Sequence, residues 1–129
     1  HPEPINSAVG LATLRLDGFV SVETSDQGTL TTKPLVFLGD TLVVNANATS
    51  GSLTVEALDV EGNAMEGFST ADCTPITTDH IRHVLKWKDN EDCHLLQGRP
   101  IRLRFHLKNS KLYSFEPRIR HNHYLQSYE

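Results

Sequence analysis

The sequence predicts an all-β chain folded as a two-sheet antiparallel β-sandwich of jelly-roll-like type, on three observations. Apolar and polar residues alternate at period two, turn signals recur at short intervals, and no segment carries a convincing long helical periodicity. About eight or nine short strands of this kind bury their dry faces by stacking in two sheets. The 129 residues fit one domain, large enough for a core of its own.

The elements follow in chain order. Leu11 to Leu16 and Phe19 to Glu23 flank Asp17-Gly18, a pair that favours positive φ, so the two segments are expected to form a hairpin. Gly28 to Thr32 is a Thr-rich strand, and Pro34 argues against a central strand at that point. Leu35 to Leu38 is short and apolar, and Gly39-Asp40 turns it into the strand Thr41 to Asn47. After Ser50-Gly51 comes Ser52 to Val60, with Leu53, Val55 and Ala57 on one face. Glu61-Gly62-Asn63 is the next turn and Met65 to Phe68 a short return strand.

Residues 69–80 read as a long polar loop. Ile81 to Lys88 is the following strand, with His83, Leu85 and Trp87 on one face. Asp89 to Arg99 is a second long connection with one helical turn near His94 to Gln97. In Ile101 to Lys108, four apolar residues alternate strictly with Arg102, Arg104, His106 and Lys108. Leu112 to Pro117 is its expected hairpin partner across a three-residue loop, Asn109 to Lys111. That register sets Phe105 opposite Phe115, Leu107 opposite Tyr113 and Arg104 opposite Glu116, whereas a one-residue slip would bring Arg104 against Phe115. The divisions are residues 1–9 as an N-terminal extension, 10–117 as the sandwich and 118–129 as a tail.

Charge excludes some roles. The net charge of −4 divides into two basic and eight acidic residues before position 65, and ten basic and eight acidic after it. Neither half is basic enough for nucleic-acid binding, and no apolar run is long enough for a helical membrane span. The chain opens His1-Pro2-Glu3-Pro4, which reads as a mature or excised part of a longer protein. Asn47-Ala48-Thr49 is an N-glycosylation sequon, a weak pointer to a secreted or extracellular setting. Cys73 and Cys93 form either one bridge, worth about 3 kcal/mol in the chain-entropy model, or two buried thiols.

Several runs together resemble a known family. They are GLATLRLDGFVS from Gly10 to Ser21, GTLTTKPLVF from Gly28 to Phe37, Gly67-Phe68-Ser69 with Asp72-Cys73, Trp87-Lys88, GRPIRLRF from Gly98 to Phe105, and Leu112-Tyr113-Ser114-Phe115. In order and spacing they resemble the C-terminal β-sandwich module of β-propeller proteins of the family-32 glycoside hydrolase-like and sialidase-like kind, over roughly residues 9–117. The resemblance implies a non-catalytic accessory module, since the catalytic acids of such proteins lie in the propeller. It implies as partners the neighbouring catalytic domain or a glycan, and brings no binding residues with it. The His-rich tail from His121 and the second cysteine, Cys93, depart from the pattern.

A sugar ring stacks on a flat aromatic beside polar groups. Trp87, between Lys86 and Lys88, is the candidate platform, against a plainer reading as a core tryptophan. Arg102, Arg104, His106 and Lys108 could meet an anionic glycan, or form an ordinary wet sheet face. His80 and His83 stand three apart, so regular strand geometry points them to opposite faces and away from a shared metal. Asp72, Asp79, Asp89, Glu91 and Asp92 lie in loops and could serve a structural calcium ion, or simply be solvated. No cofactor is expected otherwise. No Gly-x-Ser-x-Gly elbow, cysteine-protease signature or phosphate loop occurs.

Overall fold

The computed structural model describes Ile5–Asn6, Leu11–Leu14, Phe19–Glu23 and residues 26–119, with side chains from 26 onward. Its strands are β1 (Ile5–Asn6), β2 (Leu11–Leu14), β3 (Phe19–Glu23), β4 (Gln27–Thr32), β5 (Leu35–Val36), β6 (Thr41–Asn47), β7 (Ser52–Leu58), β8 (Asp79–Val84), β9 (Pro100–Lys108) and β10 (Lys111–Arg118). A single 3₁₀ turn at His94–Leu96 is the only helical element among the described residues, at the expected place. The expected return strand Met65 to Phe68 is instead a turn, although Ala57 N–H still donates to the Phe68 carbonyl and Met65 N–H to the Ala57 carbonyl.

The strands form two sheets, as the alternation requires. One has the order β1-β3-β10-β6-β8. In the other, β9 lies between β4 and β7, β2 flanks β4, and β5 resumes pairing with β9 where β4 leaves off. The sheets are mainly antiparallel, but β1–β3 and β2–β4 pair parallel. Ile5–Asn6, assigned by sequence to the extension, thus joins the first sheet.

Two expected hairpins are absent. β2 and β3 lie in different sheets, and so do β9 and β10. Apart from β4 and β5, strands adjacent in sequence fold over from one sheet to the other instead of lying side by side. The path is best seen as a three-stranded ribbon, β3–β4, β10–β9 and β6–β7, bent once across its width. Asn109 N–H donates to the Asp26 carbonyl (2.8 Å) and the buried Ser110 hydroxyl donates to the Ser52 carbonyl (3.2 Å), tying the three strands at the bend. Asn109 adopts φ 43°, a left-handed conformation that asparagine tolerates.

Between the sheets lie the dry faces: Leu30, Leu42, Val44, Leu53, Val55, Ile101, Leu103, Phe105, Leu112 and Phe115 among others. Phe105 and Phe115 do meet, with ring centroids 4.7 Å apart, but across the core rather than within a sheet. Tyr113, expected opposite Leu107, is only half-buried, and Lys111 Nζ lies 5.4 Å from its ring centre. Each fully buried side chain of this size contributes about 1.5–3 kcal/mol by leaving water.

Candidate functional site

The polar residues predicted on β9 do share one surface. On the outer face of the second sheet, register places them in rows across three strands. Thr31 and Glu56 flank Arg104, Thr29 and Thr54 flank His106, and Gln27 and Ser52 flank Lys108. The alternation that buries Leu103, Phe105 and Leu107 turns these neighbours outward.

Glu56 organises the centre. Its Oε1 lies 2.8 Å from His106 Nε2 and 3.6 Å from Arg104 Nη1. Arg104 therefore faces Glu56, not Glu116 as expected, and Glu116 instead pairs with Arg118. Arg104 Nε also donates to Thr31 Oγ1 (3.0 Å). Arg102 turns away and donates to the Val60 and Thr32 carbonyls (3.0 and 3.2 Å). Lys108 forms no ion pair among the described residues. Beside it lies a depression of about 460 Å³, lined chiefly by the His106 and Lys108 rows.

Trp87 is not part of this face. It is buried, with 3% of its surface exposed, and its indole N–H donates to the Val55 carbonyl at 2.9 Å. Its ring meets Phe68 edge-on at 5.3 Å. A ring so enclosed has no face for a sugar, so the candidate platform is a core residue. β8 ends at Val84, and past it Trp87 bridges Cys73 and Asn90 instead of continuing a strand.

Cys73 and Cys93 are not joined; both are buried free thiols. Cys73 Sγ accepts the Val55 N–H (3.4 Å) and sits beside the Thr74 carbonyl (3.6 Å). Burial raises both thiols. Cys93 is pushed up to about 12, first by burial and then by the negative charges of Asp40 and Asp92.

The histidine pair corrects a simple expectation. His80 and His83 rings lie 5.7 Å apart, on the same side. The step from Val44 to Ala46 on β6 faces the step from His83 to His80 on β8, so β8 carries one extra residue. That bulge restores a common face to residues three apart. His83 Nε2 then binds the Ala46 carbonyl (3.0 Å), and His80 Nδ1 accepts the Arg82 N–H (2.9 Å).

The loop acids have local work. Asp72 Oδ2 accepts from Ser69, Asp89 Oδ1 from Thr74 Oγ1 and Asp92 Oδ1 from the His94 backbone N–H. Among the described residues, no three His, Cys, Asp or Glu side chains gather as a metal site would require. Asn47 ends β6 half-buried, and its Oδ1 accepts both the Thr49 hydroxyl (2.8 Å) and the Thr49 N–H (3.1 Å). The His-rich tail from His121 lies outside the described residues.

Exposed apolar side chains adjoin the other end of β9. Leu35 faces inward and Val36 outward, opposite Pro100. Phe37 is buried and bonds the 98–99 backbone, leaving Leu38 outward again. Val36, Leu38 and Leu95 are 51%, 64% and 64% exposed. The segments carrying them are tied by Phe37 N–H to the Arg99 carbonyl, Gly98 N–H to the Phe37 carbonyl and Cys93 N–H to the Asp40 carbonyl.

The sequence alternation identified Arg102, Arg104, His106 and Lys108 as a row but missed Glu56, Thr54 and Thr29. Each of those lies on the wet face of its own strand; the missing information was which strand neighbours β9. No helix among the described residues is long and apolar enough to cross a membrane. Compared with known proteins, the chain matches no family model, no curated protein and no solved structure.

Proposed function

We propose that this chain is a non-catalytic accessory β-sandwich that packs on a neighbouring catalytic domain of its parent protein. The observation that carries the reading is the run of outward apolar side chains, Val36, Leu38 and Leu95, on two segments tied together by backbone hydrogen bonds. Large apolar side chains grouped on a surface mark contact sites, whereas scattered ones do not. The partner's class comes from the resemblance of residues 9–117 to the modules of family-32 glycoside hydrolase-like and sialidase-like propeller proteins. An interface of this type combines an apolar centre with a polar rim, and the exposed Arg99, whose carbonyl accepts the Phe37 N–H, stands at its border.

The test is titration of the chain against the separately prepared remainder of the parent protein. Binding is expected, and Leu38→Asp with Leu95→Asp should abolish it while circular dichroism stays unaltered. Absence of binding by the unmodified chain, or binding indifferent to both substitutions, overturns the reading.

The carbohydrate-binding alternative loses the exposed ring it called for, because Trp87 is in the core. What favours it is the polar depression at the Lys108 end of β9. Asn47, with the Thr49 hydroxyl already on its side-chain oxygen, remains the proposed glycan acceptor if the parent is secreted. Passage through a secretory pathway should add a glycan mass that Asn47→Gln removes; an unaltered mass argues against it.

A further inference from the structure

We infer that the depression between β4, β9 and β7 binds a single acidic sugar residue, a pyranose carrying a carboxylate or sulfate, without aromatic stacking. The site goes beyond the docking reading and lies at the opposite end of β9 from the apolar surface.

Thr29, His106 and Thr54 form one row across three strands, and Gln27, Lys108 and Ser52 the next. Strands stand about 4.8 Å apart, and two residues along a strand advance about 6.8 Å. The six side chains therefore form a patch about 7 Å by about 10 Å, the footprint of one substituted sugar ring. Short hydroxyl side chains on the flanking strands beside long ones on β9 leave the depression, of about 460 Å³.

The chemistry of the lining selects the ligand. Three hydroxyls, one carboxamide, one imidazole and one ammonium offer many donors and acceptors. None of the six is a large apolar side chain, and Leu107, which also lines the depression, is buried, so the site suits a polyol rather than an apolar molecule.

Charge selects further. Among the described residues of β4, β9 and β7, the outer face carries Arg102, Arg104 and Lys108 against Glu56, in a chain whose net charge is −4. Arg104 and His106 both lean on Glu56, and Arg102 is engaged by two backbone carbonyls. Lys108 is the cation of the row whose ammonium has neither a carboxylate nor a carbonyl partner among the described residues. It meets the oxyanion, and the Thr54 and Ser52 hydroxyls and the Gln27 amide meet the ring hydroxyls. Glu56 acts by positioning: its bond to Nε2 holds the imidazole of His106 at the edge of the depression.

The test uses the isolated chain in NMR titrations with glucuronic acid and galacturonic acid oligosaccharides, sulfated oligosaccharides and neutral ones of matched length, and with acetate and inorganic sulfate alone. Acidic saccharides are expected to shift the amides of residues 27–29, 52–54 and 106–108, at millimolar affinity or better. The uronate and sulfate arms identify which oxyanion is preferred. Lys108→Gln should weaken binding at least tenfold and flatten its salt dependence, and Thr54→Val should weaken it with the salt dependence retained. Leu38→Asp, which disrupts the proposed docking surface, should leave saccharide binding unaltered. No shifts with any acidic saccharide, equal binding of the neutral ones, or equal binding of the simple ions would each overturn the proposal. So would retention of full affinity in Lys108→Gln.

Discussion

A Cβ placed on Gly51 would lie 1.8 Å from the Lys108 carbonyl oxygen and 2.9 Å from Asn109 Cβ. Gly51 is thus the point where the β6–β7 connection passes over the β9–β10 bend, and the contact is with backbone that has no room to yield. Gly51→Ala is expected to cost more than about 3 kcal/mol, at the severe end for a single substitution. Gly62 offers the contrast. It has φ 94° with nothing within 4 Å of its built Cβ, so Gly62→Ala meets only the conformational penalty, of about 1–2 kcal/mol. Urea denaturation midpoints of the two variants should separate in that order. Equal midpoints would mean that the bend is not held at Gly51.

Trp87 is expected to behave as a packing residue. Trp87→Ala removes the ring against Phe68 and leaves a cavity, costing about 3–5 kcal/mol. Trp87→Phe keeps much of the volume but leaves the buried Val55 carbonyl without the indole donor, costing about 1–3 kcal/mol. The tryptophan fluorescence of the native chain should be blue-shifted and poorly quenched by iodide, and denaturation should expose it. A solvent-exposed spectrum in the native state would contradict the burial.

Much of the secondary structure was legible because period two is a local property. The strand Thr41–Asn47 stands where its composition put it, and β9 buries Ile101, Leu103, Phe105 and Leu107 as alternation required. Partner choice was not legible. Burial of Phe105 and Phe115 is satisfied equally by a hairpin in one sheet or by two strands facing each other across the core, and alternation alone does not distinguish the two. The same ambiguity hid Glu56, whose strand became the neighbour of β9, and assigned its partner Arg104 to Glu116. The bulge in β8 was invisible because no glycine or proline within Asp79–Val84 marks it, and it reversed the inference about His80 and His83.

Thr32 completes a ladder that Pro34 interrupts. It is fully buried, and its hydroxyl oxygen accepts the Leu103 N–H at 3.0 Å, in the gap between the β4 and β5 pairings with β9. Thr32→Val preserves shape but removes the acceptor, leaving a buried N–H unpaired at a cost of about 1–3 kcal/mol. Thr32→Ser keeps the oxygen and loses one methyl, about 1 kcal/mol. Hydrogen exchange of the Leu103 amide separates the effects: Thr32→Val should accelerate it beyond what the loss of global stability accounts for, and Thr32→Ser should not. Equal acceleration in both would assign the effect to packing.

Cys93 gives the chain an alkaline limit. Its thiol ionises near the ordinary value of 9.0 when unfolded, but burial, with Asp40 and Asp92 adding to it, pushes it up to about 12 in the fold. Below pH 9 the thiol is protonated in both states and its contribution to stability is fully present. Between about 9 and about 12 the unfolded chain releases the proton while the folded chain retains it, so stability falls with rising pH. Each pH unit crossed in that window costs up to about 1.4 kcal/mol from this group. Urea midpoints measured from pH 8 to pH 11 should therefore fall more steeply for the native sequence than for Cys93→Ala, after the constant loss from the smaller side chain is set aside. A thiol reagent at pH 8 should leave Cys93 unmodified in the folded chain and label it in denaturant. Parallel pH profiles for the two proteins, or rapid native labelling at Cys93, would show that the thiol is not held in the core.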